Sequence, residues 1–167
     1  MKKIILSALL SSTLIYAEGV FSLGHKNYGV NFSPSANHVI LGGNINYFVV
    51  DNLSVGASFN SWLGSKPSMN KFTIPITYYF PLEYSVNVME YMVRPYVGVL
   101  GSYTFIGDTG KKYSHYSNYS SFGGRIGGAA ELSDILYVYA GWLQIKDNYD
   151  FANINSGHPE FGFGMSF

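Results

Sequence analysis

Strict alternation of large apolar with small or polar side chains, repeated along most of the chain, constrains this sequence more than any motif in it. In 38–49, Val39, Leu41, Ile45, Tyr47 and Val49 share one parity, while His38, Gly42, Asn44 and Asn46 share the other. A period of two puts successive side chains on opposite faces of an extended strand. The pattern restarts in 53–63 (Leu53, Val55, Ala57, Phe59 and Leu63 against Ser54, Gly56, Ser58, Asn60 and Trp62). It returns in 71–80, 93–105 and 121–132, and finally in 160–167, where Phe161, Phe163, Met165 and Phe167 alternate with Gly162, Gly164 and Ser166. The stretch 135–145 is apolar on both parities, so its facing stays open. With 19–25 as a first strand the count is eight.

The connections carry turn chemistry. Asp51-Asn52 and Ser133-Asp134 read as tight turns, built from residues that tolerate unusual backbone angles. Longer polar connections fall at 27–37, 64–70, 106–118 and 146–157. The segment 81–92 is long for a turn, and its Val86 and Val88 alternate as if extending a flanking strand. Pro75 and Pro95 stand inside strands, where each removes a ladder donor. Short and long connections therefore alternate along the chain, with 81–92 as the exception.

Composition decides which kind of eight-stranded sheet this is. Charged residues make up 12% of the 167 residues and aromatic ones 17%; soluble domains carry about 25% charged residues. One strand face collects Val, Leu, Ile, Phe and Tyr, while the other collects Gly, Ser, Asn and Thr with isolated charges. A soluble barrel buries its apolar face. A barrel in lipid turns that face outward and fills its narrow interior with small and polar groups. The expected fold is therefore all-β: an eight-stranded antiparallel up-and-down transmembrane β-barrel with short turns at one end and longer loops at the other. The last strand should close on the first near Phe21 and Leu23, leaving no open edge.

The N-terminus predicts an address. Lys2 and Lys3 precede a mostly apolar run over 4–15, too short for a membrane-spanning helix of about 20 residues and suited to a cleavable signal peptide. The expected division is a signal peptide at 1–17 and a barrel domain at 18–167. Without the two leader lysines the chain keeps eight basic and ten acidic residues, a charge of about −2. That leaves no basic field for nucleic acid. The sequence has no cysteine, which excludes disulfides and a lipidated N-terminal cysteine.

Five charged residues fall on the inward parity: Lys71, Arg94, Arg125, Glu131 and Glu160. Unpaired charges in a narrow lumen are costly, so these five are expected to pair there. Replacing Arg94 or Arg125 by Met should then weaken folding more than matching changes in the loops.

The segments YFVVDNLSVGASF, RPYVGVLGSYTF and GGRIGGAAELSDILYVYAGW, with the terminal FGFGMSF, resemble the small outer-membrane β-barrel family that includes the transmembrane domain of outer membrane protein A. The resemblance covers the mature chain and is specific for architecture, since that family diverges in its loops. It implies location in the cell outer membrane, contact with outer-membrane lipid and lipopolysaccharide, and a C-terminal strand (Phe161, Phe163, Met165, Phe167) read by the barrel assembly machinery. No cofactor and no metal are expected, and the expected state is a monomer.

One stretch carries possible chemistry. His115-Tyr116-Ser117-Asn118 resembles the H-x-S-N run of outer-membrane lipid A 3-O-deacylases, in which a histidine activates a serine and a carboxylate orients the histidine. Here the run precedes the sixth strand, inside a Tyr/Ser-rich loop. The next carboxylate, Glu131, lies a strand-length away, on the order of 40 Å at ~3.3 Å per residue; Asp108, Asp147 or Asp150 would have to take its place. The four histidines (His25, His38, His115, His158) fall at or beyond the expected outer ends of strands, with spacings that match no metal motif. The expected function is a non-enzymatic membrane barrel with a structural role or a surface role in adhesion or ligand recognition by its loops. The deacylase and a narrow small-solute pore are the alternatives.

Overall fold

Among the described residues nine antiparallel strands account for the alternating segments: β1 (Lys26–Ser35), β2 (His38–Val50), β3 (Leu53–Leu63), β4 (Ser68–Tyr79), β5 (Val86–Val88), β6 (Tyr91–Gly107), β7 (Tyr119–Glu131), β8 (Leu136–Lys146) and β9 (Gly157–Ser166). They belong to a computed structural model that describes residues 19–35, 38–64, 67–88, 91–107, 117–146 and 157–167. The strand order is β4-β3-β2-β1-β9-β8-β7-β6-β5, and β4 also pairs with β6. Eight strands thus close on themselves, and the three-residue β5 only extends β6 beyond the end of β4. This is the eight-stranded barrel that the alternation predicts.

The faces follow the parity. Val99 and Phe122 on the outside are 62% and 68% exposed, whereas Tyr96 and Thr104 inside are fully buried. The doubly apolar strand β8 resolves as Tyr137, Tyr139, Leu143 and Ile145 inward, with Val138, Ala140 and Trp142 outward. Pro75 is accommodated at a gap in the β3–β4 ladder, which passes from Val55↔Ile76 to Ser58↔Thr73. Asn52 takes φ 65° in the tight β2–β3 turn, a conformation that asparagine tolerates.

The first strand is not where the sequence reading puts it. Residues 19–25 form turns, and β1 occupies Lys26–Ser35, most of the segment 27–37 expected to be a loop. Tyr28, Val30 and Phe32 point outward there, opposite buried Asn27 and Ser33. The closing seam accordingly runs from Asn27↔Ser166 to Phe32↔Phe161, not at Phe21 and Leu23. Lys26 and Phe167 extend it with reciprocal backbone hydrogen bonds of 3.0 Å. Glycines with positive φ at Gly19 and Gly24 bracket the displaced segment and turn it back into the barrel. As a result His25 sits at the turn end, against Ser166, and not at the loop end where His158 lies.

Candidate functional site in the lumen

Each inward parity contributes one column of side chains, and together they stack the lumen in three levels. At the turn end the segment 19–25 returns as a plug. Val20 and Phe21 are buried with Phe48, Tyr79, Tyr96, Ala129 and Tyr137. The Phe21 ring stacks on Tyr79 at 4.5 Å and meets Phe48 and Tyr137 edge-on at 5.8 and 5.7 Å. Backbone and side-chain groups hold the plug: Asn52 N–H donates to Phe21 O at 2.9 Å, Leu23 N–H to Asp51 Oδ1 at 2.8 Å, and Asn27 Nδ2 to Val20 O at 3.0 Å. Arg94 lies over the Phe21 ring at 5.2 Å. Its Nη1 donates to Asn52 Oδ1 at 3.1 Å, and its Nη2 stands 2.7 Å from Glu131 Oε1, off the hydrogen-bond line.

The middle level is a charged and aromatic cluster. Arg125 Nε donates to Glu160 Oε1 at 3.0 Å, reaching from β7 over β8 to β9. Tyr96 Oη donates to the same oxygen at 2.8 Å. The guanidinium also faces the Tyr96 and Tyr139 rings at 4.9 and 5.5 Å. Glu160 is buried and the Arg125 side chain is only 11% exposed, so solvent screens the pair little and each ion holds the other in place.

Glycines make the space for this level. A methyl group on Gly127 or Gly141 would stand 2.4 or 2.3 Å from Tyr96 Oη, and on Gly162 it would stand 2.3 Å from the Tyr139 ring. The small residues of β7, β8 and β9 are thus the sockets of the lumen tyrosines. Opposite them runs an amide chain: Asn46 Nδ2 donates to Asn44 Oδ1 and Asn44 Nδ2 to Tyr139 Oη, while Asn31 Nδ2 donates to Asn60 Oδ1.

At the loop end Ile40, Trp62, Met69 and Tyr119 form a second buried apolar cluster. Lys71 is buried beneath it, with Nζ 5.2 Å from the Trp62 ring. Between the two apolar seals lies a cavity of about 50 Å³ lined by Asn44, Ser58, Thr73, Arg125 and Glu160 among others, room for a few water molecules.

The structure therefore places all five charged residues of the inward parity in the lumen, but on two levels and a rim. Arg94–Glu131 joins neighbouring strands at the turn end, Arg125–Glu160 spans the middle, and Lys71 lies nearer the loops against the Trp62 ring. Of the H-x-S-N stretch, His115 and Tyr116 lie outside the described residues, Ser117 is exposed, and Asn118 Oδ1 accepts from Ile106 N–H at 2.8 Å. Glu131 is at the opposite end of the barrel, beside Arg94. Asp108, Asp147 and Asp150 lie outside the described residues, and of His38 only the backbone, in β2, is described. Among the described residues no three His, Asp or Glu side chains gather into a metal site. Sequence reasoning missed the plug and the amide chain; the glycines flanking 19–25 were the available signal for the first.

No protein-family model matches the chain, and no curated protein does. Among solved structures it is similar to the N-terminal β-barrel domain of Pseudomonas aeruginosa OprF, with a TM-score of 0.64 and 15% identity over 87% of this chain and 98% of that one. The chain has the fold of the OprF barrel. With the OprF domain covered almost end to end, the eight-strand frame is common to both. At that identity the likeness to OprF establishes the fold, and the lumen is read from this chain's own residues.

Proposed function

We propose that the protein is a non-enzymatic integral β-barrel of the outer membrane, delivered there by the leader 1–17, which lies outside the described residues. The observation that carries this reading is the inside-out arrangement of the barrel. Every strand of the closed barrel turns apolar side chains outward, while ion pairs, amides and hydroxyls fill the lumen. In water such an outer face would be a single continuous apolar patch; in lipid it is the expected surface. The OprF-like fold supports the same reading.

The exposed outward row of β9, Phe161, Phe163, Met165 and Phe167, suits recognition by the assembly machinery of the outer membrane, and the apolar belt suits membrane lipid and lipopolysaccharide. The seals at both ends support a structural or surface-display role over a pore, because a side chain blocks each mouth. Recognition by the polar loops is the remaining part of the proposal, with the long loop segments 108–116 and 147–156 outside the described residues. For the H-x-S-N stretch, lipid A mass spectrometry of expressing cells should show no acyl chain lost.

The test is the mobility of membrane-extracted protein on gels with and without boiling, together with protease treatment of intact cells. A heat-dependent mobility shift and cleavage confined to loop-end segments are expected. Recovery of the folded protein as a soluble species without detergent would overturn the membrane reading.

A further inference from the structure

The hairpin made by β5 and the start of β6 extends the barrel wall past its neighbours. Its register pairs Val86 with Val93, Asn87 with Met92 and Val88 with Tyr91. Directly opposed residues share a face, so Val86, Val88, Tyr91 and Val93 form one surface, with Asn87 and Met92 behind it. Val93 is also paired with Ala130 of β7, which joins this surface to the outward face of the barrel. It is open: Val86 is 59% exposed, Val88 49% and Tyr91 48%, and Tyr84 beside them is 60% exposed.

The outward row of β6 is taller than the rest. From Tyr91 to Phe105 it rises roughly 35 Å at ~3.3 Å per residue and ~40° tilt, against about 25 Å for Leu53–Leu63 of β3 and for the usual apolar band of such barrels. The excess is at the turn end. At the loop end, polar neighbours close the band: Phe105 is paired with Asn70 and Tyr103 with Ser120. At the turn end the paired neighbours are Ala130, Val86 and Val88, and among the described residues no polar side chain is paired into this surface.

We propose that this hairpin is an interfacial anchor, with Val86, Val88 and Tyr91 resting in the boundary between headgroups and acyl chains of the leaflet at the turn end. The inference rests on the membrane reading above. Its occupant is lipid because the surface continues the lipid-facing wall without a break, and because Tyr84 and Tyr91 combine an apolar ring with a hydroxyl, as residues of the membrane interface do. Strand addition by a protein partner has only the three residues of β5 to pair with, and such short edges resist it.

The absence of cysteine allows a direct test. Single variants Val86→Cys, Val88→Cys, Tyr91→Cys, Asn87→Cys and Met92→Cys carry an environment-sensitive fluorophore in barrels reconstituted into phosphatidylethanolamine/phosphatidylglycerol vesicles. Val99→Cys serves as the wall control, and heat-dependent gel mobility confirms folding of each. Lipid-borne nitroxide should quench the labels at 86, 88 and 91 while iodide, present on both sides of the membrane, leaves them bright; labels at 87 and 92 should show the reverse. If 99 is quenched by the lipid nitroxide but 86, 88 and 91 respond to iodide alone, the anchor is wrong and the membrane reading stands. If 99 is not quenched by the lipid nitroxide, the membrane reading fails and takes the anchor with it. Shielding from both quenchers that disappears on dilution into excess lipid assigns the surface to a second copy and also overturns the anchor.

Discussion

The two ends of the lumen are closed by different means. At the turn end the seal is a returning piece of chain, residues 19–25, which inserts Val20 and Phe21 and is held by Asn27, Asp51 and Asn52. At the loop end the seal is part of the wall: Ile40, Trp62, Met69 and Tyr119 project from β2, β3, β4 and β7 themselves. The first seal can in principle leave without breaking any strand ladder; the second cannot. Between them the Arg125–Glu160 pair joins β7 to β9 across β8, and the two seals keep it from bulk water.

The largest effect should come from that shared middle level. Arg125→Met leaves Glu160 buried without its cation and should destabilise the barrel by about 3–5 kcal/mol, measured by urea unfolding in detergent micelles. Replacing both partners by Met should recover much of the loss, because the remaining charge then disappears as well. A cost for Arg125→Met no larger than that of loop substitutions would show that the lumen pairs do not hold the fold.

Next come the seals. Phe21→Ala removes the ring stacked on Tyr79 and should cost about 3 kcal/mol, with protease cleavage appearing within 19–25. Trp62→Ala should cost a similar amount without exposing any cleavable segment, since its backbone remains in β3. Neither variant should conduct in planar bilayers, because the opposite seal stays shut. The double variant should still conduct little, because Tyr96, Arg125, Tyr139 and Glu160 fill the lumen between the seals, and its stability loss should be close to the sum of the two, the sites lying at opposite ends. Current through Phe21→Ala alone would mean that the loop-end cluster is no seal.

How far the sequence reveals this difference depends on parity. The strands β2, β3, β4, β6, β7 and β9 could be faced correctly because most of their outward residues are large and most of their inward ones small or polar, and the inward charges were legible for the same reason. The failure at the start has a physical cause. In KNYGVNFS the inward residues are Asn27, Gly29, Asn31 and Ser33, the very types that mark loops, because a narrow polar lumen and a turn select the same side chains. Conversely, 19–25 looks like a strand, since one inserted phenylalanine mimics alternation. Strand β8 was ambiguous because its inward tyrosines fill space left by Gly162 and Gly164 on β9, a complementarity that one strand cannot show alone.

A smaller effect is expected at the turn-end ion pair. Arg94 is buried but the Glu131 side chain is 25% exposed, so water can compensate part of what Arg94→Met removes. A loss of about 1–3 kcal/mol follows from the stranded Asn52 and Glu131 oxygens, less than for Arg125→Met. Urea unfolding of the two variants side by side ranks them; the reverse order would place the main strut of the lumen at the plug.

The smallest effect separates the loop end from the barrel it crowns. Asn118 Oδ1 accepts the N–H of Ile106 where β6 ends and β7 is about to begin, fastening the two strand ends that flank residues 108–116. Asn118→Ala removes one exposed hydrogen bond, worth about 1 kcal/mol or less, and leaves Trp62, Met69 and Tyr119 in place. Unfolding of the barrel should barely change, while amide exchange at Ile106 should accelerate roughly fivefold, the equivalent of about 1 kcal/mol of local opening. Were Asn118→Ala to lower global stability as much as Trp62→Ala, the loop base would belong to the seal, and the loop-end closure would extend from the strand walls into the loop itself.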